Sequence, residues 1–96
     1  MDQILRCPKC QSTYTRVIGF EYFERVEDAE LGLHVDVWRS KAYFDTDLDG
    51  NPSSRRGAAI IRFQCESCAA NNDKITYQLK LIQHKGQTFI EWEFPS

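Results

Sequence analysis

The chain predicts a mainly β, antiparallel domain, and three observations carry that prediction. Apolar and polar residues alternate through much of its C-terminal part. Thr, Tyr, Val, Ile and Phe dominate the stretch after residue 11. All four cysteines sit in two short turns, Cys7-Pro8-Lys9-Cys10 and Cys65-Glu66-Ser67-Cys68. A period of two marks a strand with one buried face, whereas a CxxC turn aims two sulfurs at one point.

Taken in order, residues 11–20 leave the first cysteine pair as a strand. From Phe20 to Gly32 the spacing of Tyr22, Val26 and Ala29 also fits a helix closed by Gly32. The aromatic run Phe20-Glu21-Tyr22-Phe23 favours a strand continued to about Val26, then a turn. Leu33, Val35 and Val37 alternate with His34, Asp36 and Trp38, and this strand is expected to run on to Phe44. Asp45 to Gly57, with its Asp, Gly, Pro and Ser residues, reads as a loop. Ala59 to Gln64 is a strand entering the second cysteine pair. Residues 73–84 and 88–94 form a hairpin turned by Lys85-Gly86-Gln87, with Ile90, Trp92 and Phe94 on its apolar side. At 96 residues the whole is read as one domain.

The start of the chain carries no apolar stretch of signal-peptide length, and no run approaches a membrane span. A cytoplasmic protein without a membrane partner is expected, and in a reducing compartment four cysteines at this spacing favour metal over disulfides. Cys7, Cys10, Cys65 and Cys68 are the expected ligands of one structural Zn²⁺. Two alternatives stand beside zinc: a cysteine-bound iron and a pair of redox dithiols. The closed four-thiolate shell leaves no position for an activated water, so no catalytic metal is expected. Arg6, Lys9, Arg62 and Lys74 lie near the ligands in sequence and are read as offsetting the site's negative charge.

A CPxC turn leading into a strand, and a strand leading into a second CxxC turn, resemble the zinc ribbon superfamily. The resemblance covers roughly residues 4–20 and 58–84 and rests on Cys7, Pro8, Cys10, Cys65 and Cys68. It implies a zinc ribbon whose 54 residues between Cys10 and Cys65 carry an elaborated β insertion, about residues 21–57. Transcript-cleavage elongation factors place an Asp-Glu pair between their cysteine pairs; here Asp45, Asp47 and Asp49 lie there, but no adjacent Asp-Glu pair does. Phage late-transcription activators open with CPxC and set a Gln before the second pair, as Gln64 does, but space that pair more widely. Rubredoxins set a Gly after each pair, where this chain has Gln11 and Ala69.

Charge limits the function further. Residues 26–49 hold seven acidic residues against two basic ones, and the chain's net charge is −2, which disfavours broad binding to DNA, membranes or anionic substrates. Arg55, Arg56 and Arg62 remain as a small nucleic-acid contact. Trp38, Tyr43 and Phe44 with Arg39 and Lys41 offer an aromatic and basic surface, although continuous alternation would put Trp38 and Phe44 opposite the other three. Asp45-Thr46-Asp47-Leu48-Asp49-Gly50-Asn51 matches half a calcium loop, but Arg56 stands where the bidentate Glu belongs, so a turn neutralised by Arg55 and Arg56 is expected. His34 and His84 have no catalytic partner beside them in sequence. The expected role is non-enzymatic recognition of a protein partner within transcription or another nucleic-acid process, that process being what the resemblance implies. Direct nucleic-acid binding and a rubredoxin-like redox role are the alternatives.

Overall fold

The computed structural model describes residues 3–38, 40–68 and 75–94. They form six antiparallel strands in one sheet: β1 Thr15–Glu24, β2 Leu33–Trp38, β3 Lys41–Asp45, β4 Ala58–Cys65, β5 Tyr77–His84 and β6 Gln87–Glu93. The spatial order is β3-β2-β1-β4-β5-β6. Two meanders of three consecutive strands are therefore joined along a single seam, β1 against β4. There is no helix among the described residues, so the helical spacing at 22–29 is not used, and the strand expected to reach Val26 ends at Glu24.

The strand expected to continue from Leu33 to Phe44 is instead a hairpin. Trp38 pairs with Lys41, and Ser40 lies in the left-handed region at φ 66; this backbone reverses the chain before alternation can carry it further. The reversal corrects the expected faces as well. Tyr43 lies opposite Asp36, and Phe44 opposite Val35, so Trp38 and Phe44 point to different sides of the sheet. Arg39 lies outside the described residues, as do Asp73 and Lys74, where the next hairpin was expected to begin. That hairpin closes at the His84–Gln87 pair, through Lys85 at φ 51 and Gly86 at φ 77, the positive angles that a tight two-residue turn requires.

Strand register divides the side chains sharply. One face carries a row across all six strands of Phe44, Val35, Tyr22, Ala59, Leu81 and Ile90. A second row, alongside it, runs Ala42, Val37, Phe20, Ile61, Leu79 and Trp92. The other face carries charge: Arg62 bonds Glu21 at 2.8 Å and Asp36 at 3.2 Å, and Lys80 bonds Glu93 at 2.5 Å. Trp38 lies on this polar face, over Gly19. A Cβ at Gly19 would come within 2.6 Å of the indole Cε3 and 2.8 Å of the Val37 carbonyl oxygen, so only glycine admits this packing.

A β-bulge between Val17 and Gly19 shifts the register of β1 against β4. It brings Thr15 opposite Cys65 and Val17 opposite Phe63, at the cysteine end of the apolar face. There the core forms: Cys7, Phe63, Cys65 and Tyr77 are buried, with Ile61 and Leu79 packed against them. The rings of Phe63 and Tyr77 stack at 4.9 Å, and Trp92 meets Tyr77 edge-on at 5.5 Å. A smaller buried group, Phe23, Ala58 and Ile60, lies on the polar face.

Candidate metal centre

The first cysteine pair is shaped by a tight turn. The Cys7 carbonyl accepts from the Gln11 amide at 2.8 Å, and the Cys7 amide donates to the Ser12 carbonyl at 2.9 Å. Closing the turn so tightly places Gln11 at φ 66. The Lys9 amide, 3.4 Å from the Cys7 sulfur, points at it, as a thiolate acceptor requires. The second pair grows from the end of β4, where the Cys65 amide donates to the Thr76 hydroxyl at 3.0 Å and the Glu66 amide to the Tyr14 carbonyl at 3.0 Å. Ser12 and Ser67 join the two turns by a hydroxyl contact of 3.0 Å.

These constraints bring the sulfurs of Cys7, Cys10, Cys65 and Cys68 within 4.8 Å of one another. Cys7 and Cys68 lie 3.9 Å apart, and Cys10 and Cys65 3.5 Å. Four thiolates held at 2.3 Å from a tetrahedral ion would have sulfur–sulfur edges of about 3.8 Å, so the set fits a metal ion of that size. It does not fit disulfides, whose sulfurs would be about 2.05 Å apart; all four cysteines are free. One cysteine of each pair, Cys7 and Cys65, is buried, and the other, Cys10 and Cys68, is exposed.

The electrostatics of the bare thiols favour a cation at the centre. Burial opposes ionisation of Cys65, but the backbone amides of Cys68 and Ser67 and the neighbouring thiols pull its pKa down to about 7. Cys68 is pushed up to about 12, first by its contact with Cys10, then by desolvation and the other two sulfurs. One thiolate forms easily here and the last resists. A divalent ion removes that penalty by compensating the accumulated negative charge.

The remaining site residues are distributed elsewhere. Arg55 pairs with Asp28 at 2.6 Å and with Glu27 at 3.6 Å, and Arg56 pairs with Glu27 at 3.1 Å. The two arginines therefore serve the β1–β2 connection and not the Asp45–Asn51 turn, correcting the expected neutralisation. The turn instead satisfies itself: Asp45 accepts from the Asp47 amide and Asp47 from the Asp49 amide, both at 2.9 Å. Arg62 is engaged by Glu21 and Asp36 on the polar face rather than by the cysteine site. Arg6 bonds the Gln11 carbonyl beside the first pair at 3.2 Å, and Lys74 lies outside the described residues.

Sequence reasoning passed over one cluster. His34 Nε2 lies 2.5 Å from Glu21 and Nδ1 2.9 Å from Asp45, while its ring stacks on Phe23 at 4.5 Å. Ionised carboxylates only accept, so this pair of contacts favours the protonated imidazole, in which both ring nitrogens donate. Burial lowers its pKa, but the bonds from Glu21 and Asp45 outweigh it and the net direction is upward. The partners come from three strands, and only strand register could have brought them together on paper.

No helix among the described residues is long and apolar enough to cross a membrane. Comparison with protein-family models, with curated proteins and with solved structures finds no match to this chain.

Proposed function

We propose that this chain is a non-enzymatic recognition module in which Cys7, Cys10, Cys65 and Cys68 hold one structural Zn²⁺ and the sheet meets a protein partner. The observation that carries the reading is the closure of the site. Four sulfurs within 4.8 Å of one another would fill the shell of a tetrahedral ion and leave it no position for a substrate or water. The ion would supply cross-linking and charge compensation at the end of the β1/β4 seam. A place in transcription or another nucleic-acid process is what the zinc-ribbon resemblance suggests, and a cytoplasmic setting suits four free thiols.

A protein partner is preferred to nucleic acid because Arg55, Arg56 and Arg62 already spend their charge on carboxylates. Phosphates would have to displace these internal partners in an acidic chain. Zinc is preferred to iron because the flanking residues after each pair depart from the rubredoxin pattern.

Metal analysis of the purified protein, combined with circular dichroism during chelation, tests the proposal. Colourless protein with one zinc per chain, whose sheet melts cooperatively on chelation, is the expected result. A red protein with thiolate-to-iron absorption, or a fold unchanged in metal-free buffer, would overturn it. Binding to single- or double-stranded nucleic acid that falls steeply with salt would replace the protein partner with nucleic acid.

A further inference from the structure

A sheet with one apolar face must bury that face against a second layer, and the described residues supply none. The two apolar rows cross every strand without a charged side chain. Their outer members are well exposed, Phe44 at 70% and Ile90 at 68%. Trp92, also on the edge strand β6, is 38% exposed, and in the middle, on β1, Phe20 and Tyr22 are each 36% exposed. The cysteine turns cover only one end of this face, over Phe63 and Tyr77.

The molecule is correspondingly over-exposed for its size. A compact chain of 11.2 kDa presents about 5,700 Å² to solvent, whereas this one presents 6720 Å². The excess, about 1,000 Å², is close to the ~800 Å² that each partner contributes to a standard stable interface. The radius of gyration, 14.5 Å, likewise exceeds the ~12.5 Å of a compact domain of this length.

We infer that the second layer is a second copy of this chain, packed face to face about a two-fold axis as a β-sandwich. The inference rests on the protein-partner reading above and names that partner. Two uncharged rows spanning six strands require a counterpart of similar breadth, and such rows are self-complementary when two sheets pack with their strands nearly aligned. The Glu21–Arg62–Asp36 and Lys80–Glu93 charges all lie on the opposite face. In the dimer they point outward into water; Glu24, Arg25 and Arg56, which line a cavity with Tyr22, Ala59 and Leu81, fall at the end of the face away from the cysteine turns.

The test uses neighbouring residues that point to opposite sides of the same edge strand. Phe44→Lys and Ile90→Lys place a cation in the interface at positions where the single chain leaves room for it. Tyr43→Lys and Glu91→Lys place the same cation on the outer face. Light scattering after gel filtration, at micromolar concentration with zinc bound, should give twice the chain mass for the wild type and both outer-face variants. It should give half that value for Phe44→Lys and Ile90→Lys. A monomeric wild type would overturn the inference, as would a dimer broken by the outer-face variants alone.

Trp38→Phe provides a second measurement in the unbroken interface, because it leaves Trp92 as the sole indole. Its emission should shift to the red on dilution as the mass halves, and a halving without that shift would place the interface elsewhere. A monomer that binds a different protein through Phe44 and Ile90 would also overturn the second copy while leaving the recognition reading intact. Zinc content, measured on the same samples, reports on the metal site separately.

Discussion

His34 shows how much a single residue can depend on register. Its folded-state pKa is raised, so the native state holds the proton more tightly than the unfolded chain, whose imidazole titrates near 6.5. The contribution to stability is fully present below that value and is lost as pH rises through the folded pKa. Urea titrations should therefore find the gap between wild type and His34→Gln largest below the unfolded value and narrowing as pH rises through the raised folded one. A constant gap would remove the charged imidazole from the account. Comparing the two proteins cancels the pH dependence of the metal site, where Cys68→Ser should lower zinc affinity and loosen the buried Cys7, Phe63, Cys65 and Tyr77 group. Zinc competition with a chromogenic chelator and near-ultraviolet circular dichroism would record both effects.

At the scale of elements, the parity of side chains was legible in the sequence and the points of reversal were less so. Alternation identified β5 and β6, each a run with its own turn signals, and β4 was read as the strand entering the second cysteine pair. Alternation failed at Ser40, a lone turn residue with little preference for positive φ, which nevertheless adopts φ 66 to make the β2–β3 hairpin. Gly19 was equally silent, since its role depends on Trp38 arriving from another strand. Gly19→Ala should cost ~1–3 kcal/mol by overpacking and alter the Trp38 emission, as read by denaturant titration and fluorescence. An unaltered midpoint would mean that the indole moves aside freely. The calcium-like turn can be judged on the same footing: its aspartates already accept from their own backbone amides, so Asp47→Ala should give melting curves that calcium does not separate from those of wild type.

For the whole molecule, the cysteine spacing made the gathering of four cysteines legible, because two CxxC turns have few other uses in a chain with no further cysteine. The single-layer architecture was not legible. Alternation says that a strand has an apolar face, but not whether its own chain covers that face. Metal removal should act globally, since structural zinc contributes ~10–16 kcal/mol in small modules against ~5–15 kcal/mol for the stability of a typical domain. Calorimetry with and without chelator should show the main transition lost or strongly lowered, and an unmoved transition would reduce the site to an ornament of the surface.

The single seam between the two meanders also bears on how fast the chain can fold. Every other strand pair joins sequence neighbours, whereas β1 and β4 must find each other across the intervening β2–β3 hairpin and the Asp45–Gly57 loop. Loop closure of this kind is the slow step in β proteins. A cross-link spanning the 54 residues between Cys10 and Cys65 removes ~4 kcal/mol of unfolded-chain entropy. An ion captured early by both cysteine turns would hold the two halves at one end while the seam zips from Thr15 and Cys65 towards Phe23 and Ala58. Metal would then act as a timer of folding as well as a brace, accelerating refolding and not merely slowing unfolding.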